Sequence, residues 1–470
     1  MTSHLDQVQS FCQGQRWFGE KGHDVHVDAT ATSVWLSGDD VWPAVRIGFV
    51  YCSGPPGSDI PTRVYQLPLS YHRDPVENLG HALVGEWVEP DLGDTPVWVY
   101  DALHDKEATP YWLDGLTHGR RLEGLEFHPV HSPDRTIVVP EDAQSLVLTV
   151  EQSNTSLVFG DVALLKVFRR LEPGSNPGVE IESALTEAGS ELVPAVLGSA
   201  RGSWPRHGGG TDSGELAMMT AFQRSATDGW TFATSSVRDL YAEADLHAEE
   251  VGGDFAAESH RLGASTAQVH SELAKALGTD IWEPAKLVEH AAAMRRRLEQ
   301  ASAAIPELAP YAGGLARAFD ALAAYGQPVT VQRIHGDFHL GQVLRTIEGW
   351  KLIDFEGEPA KSLIERRALD TAVKDIAGML RSFDYAARSL LADHQGDPQI
   401  AYRAAEWADR NQQAFCDGYA EVAGADPRQE SVLLNAFLAD KVVYETLYEA
   451  RNRPSWLPIP LGAAAQLAGR

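Results

Sequence analysis

The sequence predicts an α+β chain of two lobes, strand-rich in its N-terminal half and helical in its C-terminal half. Three observations support this: apolar runs broken by Gly/Pro clusters up to about residue 222, a 3.6-residue apolar period after it, and two short β-like runs inside the helical half. With 470 residues, about three times the ~150 of one domain, the chain is expected to hold three parts: a cap subdomain over 1–90, a β-rich lobe over 91–222 and a helical lobe over 223–470.

In the first part, Trp42–Tyr51 and Val64–Ser70 are apolar runs separated by the turn-forming Ser53-Gly-Pro-Pro-Gly-Ser58. In the second, Ser156–Phe168 reads as a hairpin, with Gly160-Asp161 supplying the positive-φ turn and Lys166 on the returning arm. His207–Gly214, rich in glycine, is expected at a hairpin tip. The helical signal is clearest in His260–Leu277, where Leu262, Thr266, Val269, His270, Leu273 and Leu277 form one stripe. Similar patterns cover 285–325, 370–395, 400–423 and 430–450. The interruptions are Thr330–Ile334 and Trp350–Phe355.

Charge and cysteine usage exclude several classes. Lys and Arg number 39 against 66 Asp and Glu, a net charge of −27, so the global field repels nucleic acid and anionic membranes, and an anionic ligand needs a local basic pocket. Arg295-Arg-Arg297 reads as a solvated helix face. Cys12, Cys52 and Cys416 are odd in number and widely spaced, which indicates neither a disulfide framework nor a cysteine zinc site. The first residues lack a basic stretch followed by an apolar one, and no run of 18 apolar residues occurs. A cytoplasmic protein without a membrane or nucleic-acid partner is expected.

The chemistry concentrates in His335-Gly-Asp-Phe-His-Leu-Gly-Gln342 and Ile353-Asp-Phe-Glu-Gly-Glu358. Two apolar runs each deliver an acidic residue just beyond their ends, which is expected to bring Asp337 and Asp354 together on the two arms of a hairpin. Phosphoryl transfer uses such a pair. One carboxylate orients a hydroxyl and takes its proton, and the other holds Mg²⁺ on the nucleotide phosphates with a side-chain carbonyl beside it. Asp337, Asp354 and Gln342 suit these roles. His335 reads as a structural residue bonding backbone near the turn, and His339 has no partner at zinc-ligand spacing.

These two motifs resemble the aminoglycoside-phosphotransferase and eukaryotic-type kinase superfamily, and in particular the actinobacterial maltokinases. The resemblance extends to Arg16–Gly22, Glu151–Ser156, Ala226–Trp230, Gly378–Tyr385 and Tyr448–Pro454. Glucosamine kinases share the outline and several of these blocks. The resemblance implies a bilobal protein-kinase-like fold of the aminoglycoside-phosphotransferase type with an extra N-terminal cap, and ATP and Mg²⁺ as cofactors. It implies Asp337 as catalytic base and Gln342 and Asp354 as metal ligands, Gln342 standing where the superfamily more often has Asn. Lys166 would contact the α- and β-phosphates and pair with Glu180, with Glu182 as the competing partner. Gln152, Ser153, Asn154, Thr155 and Ser156 would form the phosphate-covering turn, using hydroxyls and amides in place of glycines. Asp375 corresponds to a position that braces the catalytic loop.

A small-molecule sugar is the expected acceptor. Glu445–Trp456 combines aromatic faces, carboxylates, guanidinium groups and an amide, the mixture that stacks on sugar rings and bonds their hydroxyls. Tyr448, Glu449, Arg451, Asn452, Trp456 and Glu445 are the candidates, while Tyr444 and Tyr448 at helical spacing also read as core residues. Maltose phosphorylated at its anomeric hydroxyl is the first expectation, and glucosamine phosphorylated at its 6-hydroxyl, with Glu445 or Glu449 meeting the amino group, is the second. Lys361–Lys374 lacks the prolines of the maltokinase pattern. A catalytically silent kinase-fold binding protein is the non-enzyme alternative. The presence of Asp337, Lys166 and Asp354 together argues against it.

Overall fold

The computed structural model describes residues 3–21, 24–38, 40–55, 61–133, 136–148, 153–394 and 396–469. The chain forms two compact units, Met1–Gly189 with Pro194–Arg224, and Ser190–Val193 with Ser225–Arg470.

The first unit opens with α1 (His4–Gly14), started by a capping box between Ser3 and Asp6. Five strands follow, β1 (His26–Trp35), β2 (Ala44–Ser53), β3 (Arg63–His72), β4 (Leu83–Val88) and β5 (Pro96–Asp101), in the antiparallel order β1-β2-β3-β5-β4. This sheet does not end near residue 90, because β5 is inserted between β3 and β4. Residues 44–52 are buried without alternation because both faces of β2 are covered. Ala44, Val50 and Cys52 pack with Val8, Phe11 and Cys12 of α1. Val45, Ile47, Phe49 and Tyr51 join the core of the second sheet, which includes Leu157, Phe159 and Trp204.

That second sheet comprises β6 (Arg121–Leu122), β7 (Leu125–Pro129), β8 (Ser145–Leu148), β9 (Thr155–Phe159) and β10 (Ala163–Val167), together with two later strands. Helix α2 (Pro110–His118) precedes it. After β10 come β11 (Arg170–Leu171), which joins the first sheet beside β3, helix α3 (Pro177–Glu187), and the hairpin β12 (Val196–Pro205)–β13 (Thr211–Ala221). The order is β6-β7-β12-β13-β10-β9-β8. Gly160 and Asp161 take φ of +52° and +56° at the β9–β10 turn, and Lys166 pairs in register with Ser156. Gly208, Gly209 and Gly210 form the β12–β13 tip. Arg169, wholly buried, donates to Asp101 Oδ2 at 2.6 Å and Thr155 Oγ1 at 2.8 Å and stacks 4.6 Å over Trp17. Trp17 is therefore a core residue.

The second unit begins with β14 (Thr227–Asp228) and α4 (Gly229–Ala242), whose first turn is capped by Asp228. Then come α5 (Ala256–Leu277), β15 (Thr279–Trp282), α6 (Pro284–Ala304), α7 (Ala309–Ala323), β16 (Val329–Gln332), β17 (Val343–Arg345) and β18 (Trp350–Leu352). The chain closes with α8 (Leu363–Arg366), α9 (Ala372–Ser389), α10 (Pro398–Ala423), α11 (Ser431–Asn452) and α12 (Pro458–Ala468). The α5 stripe is buried at Leu262, Thr266, Val269, His270 and Leu273.

The expected hairpin is built differently. β16 pairs with β15, and the hairpin is β17–β18, with Val343 opposite Leu352. Asp337 thus lies in the loop before the hairpin and not on one of its arms. Thr330–Gln332 pair with Thr279–Ile281, directly after α5, and the backbone groups of Gln332 bond those of Asp370, so this run does not need the later strand. Among the described residues no helix is long and apolar enough to cross a membrane.

Candidate active site

Asp337 sits in the loop between β16 and β17, and buried polar contacts fix the backbone around it. The carboxylate of Asp375, in the first turn of α9, accepts from the backbone N–H of His335 at 2.7 Å and of Gly336 at 2.8 Å. His270 Nε2 donates to the same carboxylate at 3.2 Å, and its Nδ1 lies 3.0 Å from the Tyr419 hydroxyl. Burial would raise the Asp375 carboxyl, but His270, His335 and the Gly336 amide hold it below its ordinary value. His335 Nε2 donates to the Ile353 carbonyl at 2.9 Å, which ties the loop to the far end of the hairpin. At Gly378 a Cβ would come within 2.6 Å of the Phe338 carbonyl oxygen, so the absent side chain lets α9 approach the loop.

Gln342 directly precedes β17 and Asp354 closely follows β18. The Ile353 N–H donates to the Gln342 carbonyl at 3.0 Å, and Gln342 Nε2 donates to Asp354 Oδ2 at 3.2 Å. Asp354 has a φ of +66°, a left-handed conformation that Asp tolerates better than most residues. An amide and a carboxylate offering hard oxygen donors side by side fit Mg²⁺, which takes one or two carboxylates and fills its octahedron with phosphate oxygens and water. Among the described residues no group of three or more His, Cys, Asp or Glu could hold a metal on protein ligands alone.

A cleft of about 680 Å³ in the second unit is lined by Asp337, His339 and Gly341 from the loop, Trp230 from α4, Gly378, Ser382 and Tyr385 from α9, and Lys441, Tyr444, Glu445, Tyr448 and Glu449 from α11, with Arg453 and Trp456 beyond it. Trp230 stacks on Trp456 at 6.3 Å, Tyr444 stacks on Tyr448 at 6.2 Å, and the Arg453 guanidinium lies 4.4 Å over Trp456. Lys441 Nζ lies 3.3 Å from Asp337 Oδ1. Burial would lift the Asp337 carboxyl, but Lys441, with His339 and His335, holds it below its ordinary value.

Two buried carboxylates of α11 are held in different ways. Glu445 receives Arg381 Nε and Nη2 on Oε2 alone, at 2.9 and 2.8 Å. Arg381 also donates to Asp384, which Arg388 bonds from its other side at 2.6 Å. Glu449 receives Arg453 on both oxygens, at 2.7 and 3.0 Å. Burial raises the Glu445 carboxyl above its ordinary value, against the pull of Arg381 and Lys441. The Tyr385 hydroxyl is buried in the same cleft near the Glu449 carboxylate, without a hydrogen bond of normal geometry among the described residues.

The structure brings together Asp337, Glu445, Tyr448, Glu449 and Trp456 in one cleft. It leaves out Arg451 and Asn452, which are exposed, Asn452 donating to the Tyr448 carbonyl. The cleft row runs 445, 449, 453, one helical turn per step, so Arg453 takes the place expected of Arg451. Trp230, Tyr385, Lys441 and Arg453 were missed as site residues. The signal for Lys441 was available: it lies one turn before Glu445 on the same helix face. Tyr444 is half-buried and Tyr448 is 41% exposed, so neither is a core residue.

In the first unit, Lys166 occupies the half-buried face of β10. Glu180 is half-buried in the first turn of α3, whereas Glu182 is 3% exposed. A buried carboxylate requires compensation, so Glu182 needs a partner as much as the half-buried Glu180 does. The residues expected to form a phosphate-covering turn do not all lie in a turn. Thr155 and Ser156 already belong to β9 and are buried, and the Thr155 hydroxyl is taken by Arg169. Ser153 is exposed and Asn154 half-buried before the strand. Gln152 lies outside the described residues.

Comparison with known proteins gives a consistent picture. Residues 11–105 match the maltokinase N-terminal cap domain, and residues 243–425 match the phosphotransferase enzyme family. A glucosamine kinase of Streptacidiphilus jiangxiensis is 30% identical over 331 residues, covering 67% of this chain and 71% of that protein. One of Mycolicibacterium smegmatis is 28% identical over 342 residues, covering 68% and 78%. The solved structure of a glucosamine kinase in complex with glucosamine, ADP and inorganic phosphate matches with a TM-score of 0.69 at 21% identity, over 99% of both chains. The fold is the kinase-like fold of the aminoglycoside phosphotransferases with an N-terminal cap, and the protein is a phosphotransferase acting on a hydroxyl acceptor. The chain belongs to the actinobacterial maltokinase and glucosamine kinase group of the aminoglycoside-phosphotransferase superfamily.

Proposed function

We propose that this ATP-dependent sugar kinase phosphorylates the 6-hydroxyl of glucosamine, in preference to the maltose first expected. The observation that carries the reading is Glu445. It is a buried carboxylate in the aromatic cleft with one oxygen clamped by Arg381 and the other without a hydrogen bond among the described residues. An ammonium group suits that position better than a neutral hydroxyl. In a pyranose the amine on C2 and the carbon bearing the 6-hydroxymethyl group lie across the ring from each other. Holding the amine at Glu445 therefore directs the primary hydroxyl away from it, toward another part of the cleft, whose lining includes Asp337. The relatives named above are glucosamine kinases, which supports the same choice.

In the proposed step the Asp337 carboxylate accepts the proton of the 6-hydroxyl as its oxygen forms a bond to the γ-phosphorus. The bond from that phosphorus to the bridging oxygen breaks, and its electron pair leaves with ADP. Gln342 and Asp354 would hold Mg²⁺, which when bound neutralises charge on the transferred phosphoryl group. Lys166, with a carboxylate of α3 as its expected partner, and Ser153 and Asn154 are assigned to the nucleotide phosphates on the family resemblance.

The match of residues 11–105 to maltokinase caps is the observation that favours a disaccharide. The test is a screen of glucosamine, glucose, maltose, trehalose and an aminoglycoside with ATP and Mg²⁺, with the esterified position read by ³¹P–¹H correlation. Glucosamine 6-phosphate is expected. Maltose 1-phosphate as the main product would restore the first expectation.

A further inference from the structure

Asp337 is met by a cation that no sequence motif pointed to. Lys441 lies on α11, and the residues three, four, seven and eight positions after it, Tyr444, Glu445, Tyr448 and Glu449, all line the same cleft. Its ammonium is 3.3 Å from Asp337 Oδ1 and 5.1 Å from the centre of the Tyr444 ring, so a carboxylate and an aromatic face both engage it. The two side chains are 26% and 21% exposed, so the pair is sheltered but reachable from the cleft.

The other charged or titratable groups around the pair are His335 and His339 on the loop, Asp354 and Glu358 after the hairpin, and Tyr444 and Glu445 on α11. His339 is held toward its neutral form by burial and by Lys441, despite Asp337. Its Nδ1 accepts the Gly341 N–H at 3.0 Å. Lys441 is thus the one permanent cation in this set, and its contact is with a single oxygen of Asp337.

We propose that Lys441 is a positioning residue for the base: it occupies Oδ1, fixes the orientation of the carboxylate and leaves Oδ2 to accept the proton of the acceptor hydroxyl. This rests on the reading of Asp337 as the base and is independent of which sugar is the acceptor. The geometry gives the variant a definite signature. Without the ammonium, burial acts unopposed by its largest counterweight, so Asp337 protonates at higher pH and the acid limb of activity moves upward.

The test compares wild type, Lys441→Met, Lys441→Gln and Lys441→Arg. For each, kcat/KM is measured against pH with the acceptor identified in the sugar screen and also with glucose, which carries no amine for Glu445 to select, so that the acid limb is read on glucose, and nucleotide affinity and thermal melting are measured alongside. The Met and Gln variants are expected to lose roughly 10- to 100-fold in kcat, at or below the lower end of the ~10²- to 10⁴-fold that a general base itself contributes, with the acid limb displaced to higher pH and nucleotide affinity unchanged. The Arg variant should return the acid limb toward wild type. Asp337→Asn should lose at least ~10²-fold, and adding Lys441→Met to it should cost little more. An acid limb unmoved in a folded Met or Gln variant overturns the proposal while leaving Asp337 as the base. Near-normal turnover of Asp337→Asn overturns the base reading itself. If Lys441→Met does not fold, Lys441→Gln decides, since it keeps a hydrogen-bond donor and removes only the charge.

Discussion

Arg381 places two of its nitrogens on one oxygen of Glu445, at 2.9 and 2.8 Å, and none on the other. A guanidinium normally matches a carboxylate with two parallel bonds, as Arg453 does with Glu449. The one-sided contact orients Glu445 and keeps Oε1 available to a ligand. Asp384 and Arg388 in turn anchor Arg381 from the opposite side.

Replacing Glu445 by Gln removes the charge but keeps the shape and an acceptor for Arg381. The expected result is a loss of roughly 10- to 100-fold in kcat/KM for glucosamine, corresponding to the ~1.5–3 kcal/mol of a hydrogen bond to a charged group, with little change for glucose. Because burial raises the Glu445 carboxyl, lowering the pH should erode the preference for glucosamine before an ordinary glutamate would titrate. Steady-state kinetics with both sugars across pH check this. A preference that survives in the Gln variant excludes Glu445 as the selecting group.

Arg381→Met should destabilise the protein by about 3–5 kcal/mol, because it leaves Glu445 and Asp384 buried with less compensation. The pH dependence should change as well. Arg381 and Arg388 outweigh burial and hold Asp384 below its ordinary value. A depressed carboxyl contributes stability that is present above its unfolded pKa of ~3.9 and is lost as pH falls through the folded value. Urea unfolding of the Met variant should therefore show a shallower loss of stability on acidification below about pH 4. A wild-type slope would mean that Arg388 alone sets the Asp384 carboxyl.

Asp354→Ala is expected to abolish Mg²⁺-dependent nucleotide binding, and Gln342→Ala to weaken it, since a carboxylate is the stronger ligand for a hard cation. Calorimetric titration of metal at fixed nucleotide separates the two. Equal metal affinity in wild type and Asp354→Ala would remove Asp354 from the metal site.

Gly378→Ala puts a methyl group where the Phe338 carbonyl already stands at 2.6 Å. The obstacle is backbone, so either the loop carrying Asp337 or the helix has to shift. A drop in kcat of about 10²-fold or more is expected, because misplacement by about 1 Å costs that much, along with a lower melting temperature. Unchanged turnover would show that the loop tolerates displacement.

Much of the site could be read in the sequence because its local parts are local in the chain. His335–Gln342 and Ile353–Glu358 flank one short hairpin, so Gln342 and Asp354 meet through the pairing of neighbouring strands. The β9–β10 turn at Gly160-Asp161 and the α5 stripe were equally legible, since positive φ and a 3.6-residue period are properties of short segments. The apolar run at Trp42–Tyr51 signalled a strand, and its lack of alternation reflects burial on both faces of β2.

What the sequence alone determined about this protein is its class of fold and the residues suited to phosphoryl transfer, because both follow from patterns within a few residues of each other. Only the tertiary structure decided that β16 pairs with β15, that Thr155 is held by Arg169, and that α4, α9 and α11 converge on the cleft of Asp337 with Trp230, Tyr385 and Lys441. These contacts join residues from 14 to more than 100 positions apart. Their partners are selected by the packing of whole elements and by the need to compensate every buried charge, and no local pattern records that selection.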